Sequence, residues 1–118
     1  MTARDICTLL DAKVLCCGNR LDTQVDSAFG SDMMSDVLAF VKDSTVLLTG
    51  LVNSQSLRTA ALMDLPCIVY VRGKRPAPDV IDMAEMDDIL LLATEYSMYE
   101  TCGRLFSAGL PGVDLGGK

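Results

Sequence analysis

The chain has 118 residues, enough for one domain that buries roughly two thirds of its unfolded surface in a single core. Half the residues are hydrophobic and only 5% aromatic, and 16 acidic against 10 basic side chains leave a net charge of −6, which repels phosphate backbones and anionic lipid and argues against nucleic acid or a membrane as partner. Histidine is absent, which removes Ser-His and Cys-His nucleophile pairs, the commonest general base and a usual zinc ligand.

In chain order, Thr2 caps a first helix whose Ile6, Leu9 and Leu10 share a face, and Lys13 to Cys17 is a short strand stopped by Gly18-Asn19. Val25 to Phe29 reads as a second strand. Ser31 or Asp32 starts the next helix, where Met33, Met34, Val37, Leu38 and Val41 recur with the spacing of one buried stripe, ending at Lys42-Asp43. The stripe is read as core, with a share in a dimer surface as the alternative.

From Thr45 to Ala108 an apolar run followed by a helix-period segment occurs three times. Strands are expected at 46–49, 67–71 and 89–92, and helices start after Asn53 or Ser54, Pro76 or Pro78, and Ser97. Short apolar runs alternating with helices signal a sheet buried on both faces, hence an α/β fold: three layers, α/β/α, around a mostly parallel sheet. In the last helix Met98, Cys102, Leu105 and Phe106 are expected to be buried.

Residues 1–110 are read as the domain and 111–118 as a flexible, glycine-rich tail. Within that tail Gly112 to Lys118 spells G-x-x-x-x-G-K, but neither a buried strand before it nor a helix after it is readable, so no phosphate-binding loop and no kinase or ATPase activity is expected. The amino terminus lacks the features of a signal peptide, and no apolar run approaches the roughly 20 residues that cross a bilayer. A cytoplasmic location without cofactor or metal is expected.

Cys7, Cys16, Cys17, Cys67 and Cys102 show no CxxC spacing and are read as reduced core residues. Cys16 and Cys17, adjacent on a strand, are expected on opposite faces. Asp32 and Asp36 stand at i and i+4, so a helix beginning at Ser31 places both carboxylates on one face, where they repel unless a cation lies between them; the alternative is a helix-start role for Asp32.

Three blocks in order carry a family resemblance: Leu21-Asp22, Val25 and Ser31 to Val37; Val69 to Pro76 followed by Ala84-Glu85; and Thr94 to Leu105. Together they resemble the DRTGG domain, which is similar to the amino-terminal domain of the bacterial HPr kinase/phosphorylase and is also found fused to CBS-domain regulators. Where the family has Thr-Gly-Gly this chain has Arg72-Gly73-Lys74. The resemblance implies a non-catalytic regulatory or assembly module that self-associates as a homodimer and takes a small anionic or nucleotide-like ligand, with another regulatory or redox protein as a further partner. The alternatives are a small carboxylate-dependent hydrolase or transferase, with Asp32 and Asp36 as its pair, and a structural subunit.

In open α/β sheets small molecules bind beyond the carboxyl ends of the strands. Three such ends are readable: Thr49-Gly50 with Asn53 and Ser54; Arg72-Gly73-Lys74 with Arg75; and Thr94 with Ser97. Thr49, Asn53, Ser54, Arg72, Gly73, Thr94 and Ser97 are therefore the candidate ligand-binding residues. In the competing reading the hydroxyls cap helices and the basic residues solvate a turn.

Overall fold

The apolar runs become strands. A computed structural model describes residues 1–116, with β1 at Lys13–Cys16, β2 at Ser27–Gly30, β3 at Thr45–Thr49, β4 at Cys67–Tyr70 and β5 at Leu90–Ala93. They form one sheet in the order β1-β5-β4-β3-β2. The pairs from β2 to β5 are parallel, in a register that sets Leu48 beside Val69 and Ile68 beside Leu91. Every residue of β3, β4 and β5 is buried, because helices cover both faces.

The helices are α1 (Ala3–Leu9), α2 (Met34–Phe40), α3 (Ser54–Leu62), α4 (Pro78–Asp87) and α5 (Met98–Ser107). Leu47, Ile68, Tyr70 and Leu91 face one way and pack with Val37, Leu57, Ala60, Val80 and Ala84 of α2, α3 and α4. Val46, Leu48, Val69 and Leu92 face the other way and pack with Ile6 and Leu105 of α1 and α5. The expected three-layer α/β/α architecture and the three neighbouring parallel strands are both present.

Several local expectations change. β1 runs antiparallel to β5, and its register slips between Val14 and Cys16. Cys17 then adopts a left-handed backbone with φ of 61°, so the adjacent thiols do not alternate: Cys16 Sγ lies 3.7 Å from Ile89 O and Cys17 Sγ 3.7 Å from Ala84 O, both turned toward the α4–β5 connection. Val25 lies ahead of β2 and donates to Met1 O at 2.7 Å instead of joining the sheet.

α2 begins at Met34, later than expected, because Ser31 caps a turn and not the helix: its Oγ accepts Met33 N–H at 2.9 Å. Met34, Val37 and Val41 are buried, whereas Met33 and Leu38 are exposed. In α5 the buried face is Thr101 and Leu105, flanked by Met98 and Cys102. Phe106, one residue or about 100° past Leu105, turns out to be 72% exposed.

The start of the expected tail is tied to the sheet edge. Ala28 N–H donates to Pro111 O at 2.9 Å, and Val113 N–H donates to Ala28 O at 3.2 Å, so residues 111–113 satisfy an edge that β2 would otherwise leave open. Gly117 and Lys118, which complete the G-x-x-x-x-G-K string, lie outside the described residues. Among the described residues no helix is long and apolar enough to cross a membrane, and no group of His, Cys, Asp or Glu has the arrangement of a metal site.

Candidate functional site

Parallel pairing brings the carboxyl ends of β2, β3, β4 and β5 to one edge of the sheet, and the loops that follow them touch. Asp32, just past β2, is the hub. Its Oδ1 accepts the Thr49 hydroxyl at 2.9 Å and Gly50 N–H at 2.7 Å, which locks the end of β3 to the end of β2. Asp32 thus precedes α2 and faces the crevice, while Asp36 lies in the helix's first turn. The shared helical face expected of the two carboxylates is not formed.

Gly50 leaves room that a larger residue would fill. A Cβ there would stand 2.6 Å from Arg72 Nη2 and 3.6 Å from Asp32 Oδ2, so the guanidinium and the free carboxylate oxygen converge over this glycine. Arg72 itself has a left-handed backbone, with φ of 59°, held by its N–H donating to Tyr96 O at 2.8 Å. Such a conformation costs a non-glycine residue about 1–2 kcal/mol, which the surrounding hydrogen bonds offset. Gly73 continues the left-handed turn at φ of 68° and donates to Thr94 O at 2.9 Å.

These pieces border an open cleft of about 490 Å³, walled by Ser31, Asp32, Arg72, Ser97 and Tyr99. The Arg72 side chain is exposed, and among the described residues the ion pairs join Arg4 to Asp22, Arg20 to Asp88 and Arg104 to Glu100, leaving Arg72 without one. Ser97 caps α5 through a 3.2 Å bond from Glu100 N–H. The cleft therefore offers one free cation, one carboxylate oxygen, two serine hydroxyls and a phenol beside a helix start.

The residues singled out from sequence divide three ways. Arg72 and Ser97 wall the cleft, and Gly73 shapes its turn. Thr49 and Thr94 are buried behind it. Thr49 orients Asp32, and Thr94 donates to Leu10 O at 2.7 Å while accepting Tyr96 N–H at 3.3 Å, a joint between β5 and the end of α1. Asn53 caps α3 by accepting Gln55 N–H at 3.1 Å, and neither it nor Ser54 reaches the cleft. Lys74 and Arg75 are exposed on the loop outside it.

Sequence reasoning missed Gly30, Ser31 and Tyr99. Tyr99 is 90% exposed, the most exposed large apolar side chain of the domain. Its signal was present, since position 99 falls outside the buried stripe of α5 and an aromatic ring there has no core to fill.

Elsewhere, among the described residues, two buried side-chain polar atoms, Tyr70 Oη and Thr101 Oγ1, have no hydrogen-bond partner. Tyr70 Oη is fully buried without a partner in hydrogen-bonding geometry, and the neighbouring Ser56 hydroxyl donates instead to Asn53 O at 3.0 Å. Burial pushes the Tyr70 phenol up to about 12.

No curated protein matches the chain. Among solved structures it superposes on the CBS and DRTGG domains of the regulatory region of Clostridium perfringens pyrophosphatase, complexed with its activator diadenosine tetraphosphate, with a TM-score of 0.65 at 13% identity. The superposition covers 91% of this chain but 46% of that one, so this chain spans about half the neighbour's length, and at that identity the likeness shows the fold. The DRTGG domain model matches residues 5–108, almost all of the five-stranded domain, and the chain belongs to the DRTGG domain family.

Proposed function

We propose that this domain is a non-catalytic regulatory module that binds a small phosphorylated ligand in the cleft at the strand ends. The observation that carries the reading is the unpaired Arg72 guanidinium, fixed by a left-handed turn among the Ser31 and Ser97 hydroxyls on a protein of net charge −6. Arginine is suited to a phosphate because its planar fork donates two parallel hydrogen bonds. Asp32 Oδ2, on the same wall, suits a sugar hydroxyl, so a sugar phosphate or nucleotide fits the mixed charge better than a bare anion. The neighbour's regulatory region holding an adenine dinucleotide activator supports this class of ligand.

The test is a thermal shift with AMP, ATP and ribose 5-phosphate, where ligand at 100 times its dissociation constant adds about 2.7 kcal/mol. Arg72→Ala is expected to weaken binding by about tenfold or more, since a charge-assisted bond contributes roughly 1.5–3 kcal/mol. No shift with any phosphate ester, or an affinity unchanged in Arg72→Ala, would refute the site.

Self-association belongs to the same proposal. Met33 and Phe40, at i and i+7 along one side of α2, are 62% and 44% exposed, an apolar strip that a twofold-related copy covers at once with its own. Light scattering on the pure protein at micromolar concentration is expected to give twice 12.7 kDa, and the monomer mass would remove the dimer from the reading.

A further inference from the structure

The phosphate cleft does not end at Tyr99. A second opening of about 350 Å³ begins there and shares both Tyr99 and Gly30 with it, running between α5 and the exposed side of β2. Its lining is more apolar than the cleft's: its walls include Ala28, Gly30, Leu48, Gly103 and Phe106, and its volume falls in the range of small-molecule pockets.

The groove exists because three facing positions are small. Ala28 is small, and Gly30 lets α5 pack close, since a Cβ there would come within 3.1 Å of Met98 Sδ and 3.3 Å of Cys102 Sγ. On α5 a Cβ at Gly103 would meet nothing within 4 Å. Tyr99, Gly103 and Phe106 follow one another at i, i+4 and i+7, so two exposed rings stand about 10 Å apart along the helix with a glycine floor between them. That interval admits a flat ring between two others.

We infer that this groove is the base slot of a nucleotide whose phosphate is held by Arg72. The inference rests on the phosphate-cleft reading and specifies its ligand. Two adjoining spaces, one lined by Arg72, Asp32 and serine hydroxyls, the other apolar and aromatic-flanked, fit a single molecule that has both parts in that order. Asp32, on the cleft side of the shared Gly30, takes the sugar hydroxyls. A purine stacked on Tyr99 covers a ring that is otherwise 90% in solvent, and stacking on an aromatic side chain is indifferent to which base is presented, so the slot selects for a base without reading its identity.

Calorimetric titration with AMP and with ribose 5-phosphate, which differ only by the base, tests this directly. The wild-type protein is expected to bind AMP about tenfold or more tightly than ribose 5-phosphate. Gly103→Leu fills the slot from an exposed helical position where a Cβ meets nothing within 4 Å, and a thermal melt verifies that the fold persists. In that variant AMP is expected to fall to the affinity of ribose 5-phosphate, whose own binding stays unchanged. Tyr99→Ala should lower AMP binding several-fold more than it lowers ribose 5-phosphate binding. Equal affinities in the wild type overturn the base slot and leave the phosphate cleft standing. An AMP preference that survives both substitutions places the base elsewhere. Binding of neither compound overturns the phosphate cleft and the slot with it.

Discussion

Between the ordinary thiol value near 9.0 and pH 11 the protein is expected to lose several kcal/mol of stability, a large share of the roughly 5–15 kcal/mol that a domain has. Cys16 is 7% exposed and Cys67 and Tyr70 have no exposed surface. Burial pushes Cys16 up to about 12, from an ordinary value of 9.0, and Tyr70 up to about 12, from 10.0. Cys67 is likewise raised, by burial first and by the nearby Cys7 second. All three are acids that the fold keeps protonated. Below 9.0 the folded and unfolded chains hold the same protons on these groups, so stability is flat with respect to them. Above it the unfolded chain releases protons that the folded one retains, and stability falls as pH rises until the folded groups titrate in turn. Each group held back contributes about 1.4 kcal/mol per pH unit. Urea midpoints followed by circular dichroism in a reducing buffer, from about pH 7 to 11, measure the slope. Cys67→Ala should make it shallower by one proton, and a midpoint that does not move above about pH 9 would show that these groups are solvated.

The parts of the fold that the sequence displayed are those where burial constrains both faces. β3, β4 and β5 are covered on each side, so their residues had to be apolar throughout, and the run itself marked the strand. β1 is an edge strand with two exposed residues, Lys13 and Val14. Its length was readable but its direction was not, because an alternation pattern reads the same in either sense. The start of α2 was misplaced because Ser31 and Asp32 are both good helix caps locally, and only the long-range bonds from Thr49 and Gly50 commit Asp32 to the loop.

The candidate site was legible to the same degree. Strand ends gather by topology, so Arg72, Gly73 and Ser97 were found by asking which loops follow parallel strands. Thr94 has the same residue type and position, yet its hydroxyl is consumed by Leu10 O, a partner 84 residues away that no local pattern announces. Gly30 and Gly103 were missed because a groove made by missing side chains leaves no motif; it is visible only when β2 and α5 are set side by side.

Leu91→Ala is expected to cost about 3–5 kcal/mol, in the upper part of the range for removing a buried leucine. Leu91 has no exposed surface and sits on β5 with Ile68 of β4 on one flank and Cys16 of β1 on the other, beneath Val80 and Ala84 of α4. The site collapses poorly because β5 is hydrogen-bonded on both sides, to β1 and to β4, so the cavity persists. At roughly 4 °C per kcal/mol for a domain of this size, the melting temperature should fall by about 12–20 °C. Phe106→Ala removes a larger side chain that is 72% exposed, and should shift it little. Leu91→Met, which keeps the volume, is expected to lose less than about 1.5 kcal/mol. Equal losses for alanine and methionine would locate the sensitivity in strand geometry instead of packing, and the face shared by α2, α3 and α4 would not then be the part of the core that holds the strand ends, and the cleft beyond them, in place.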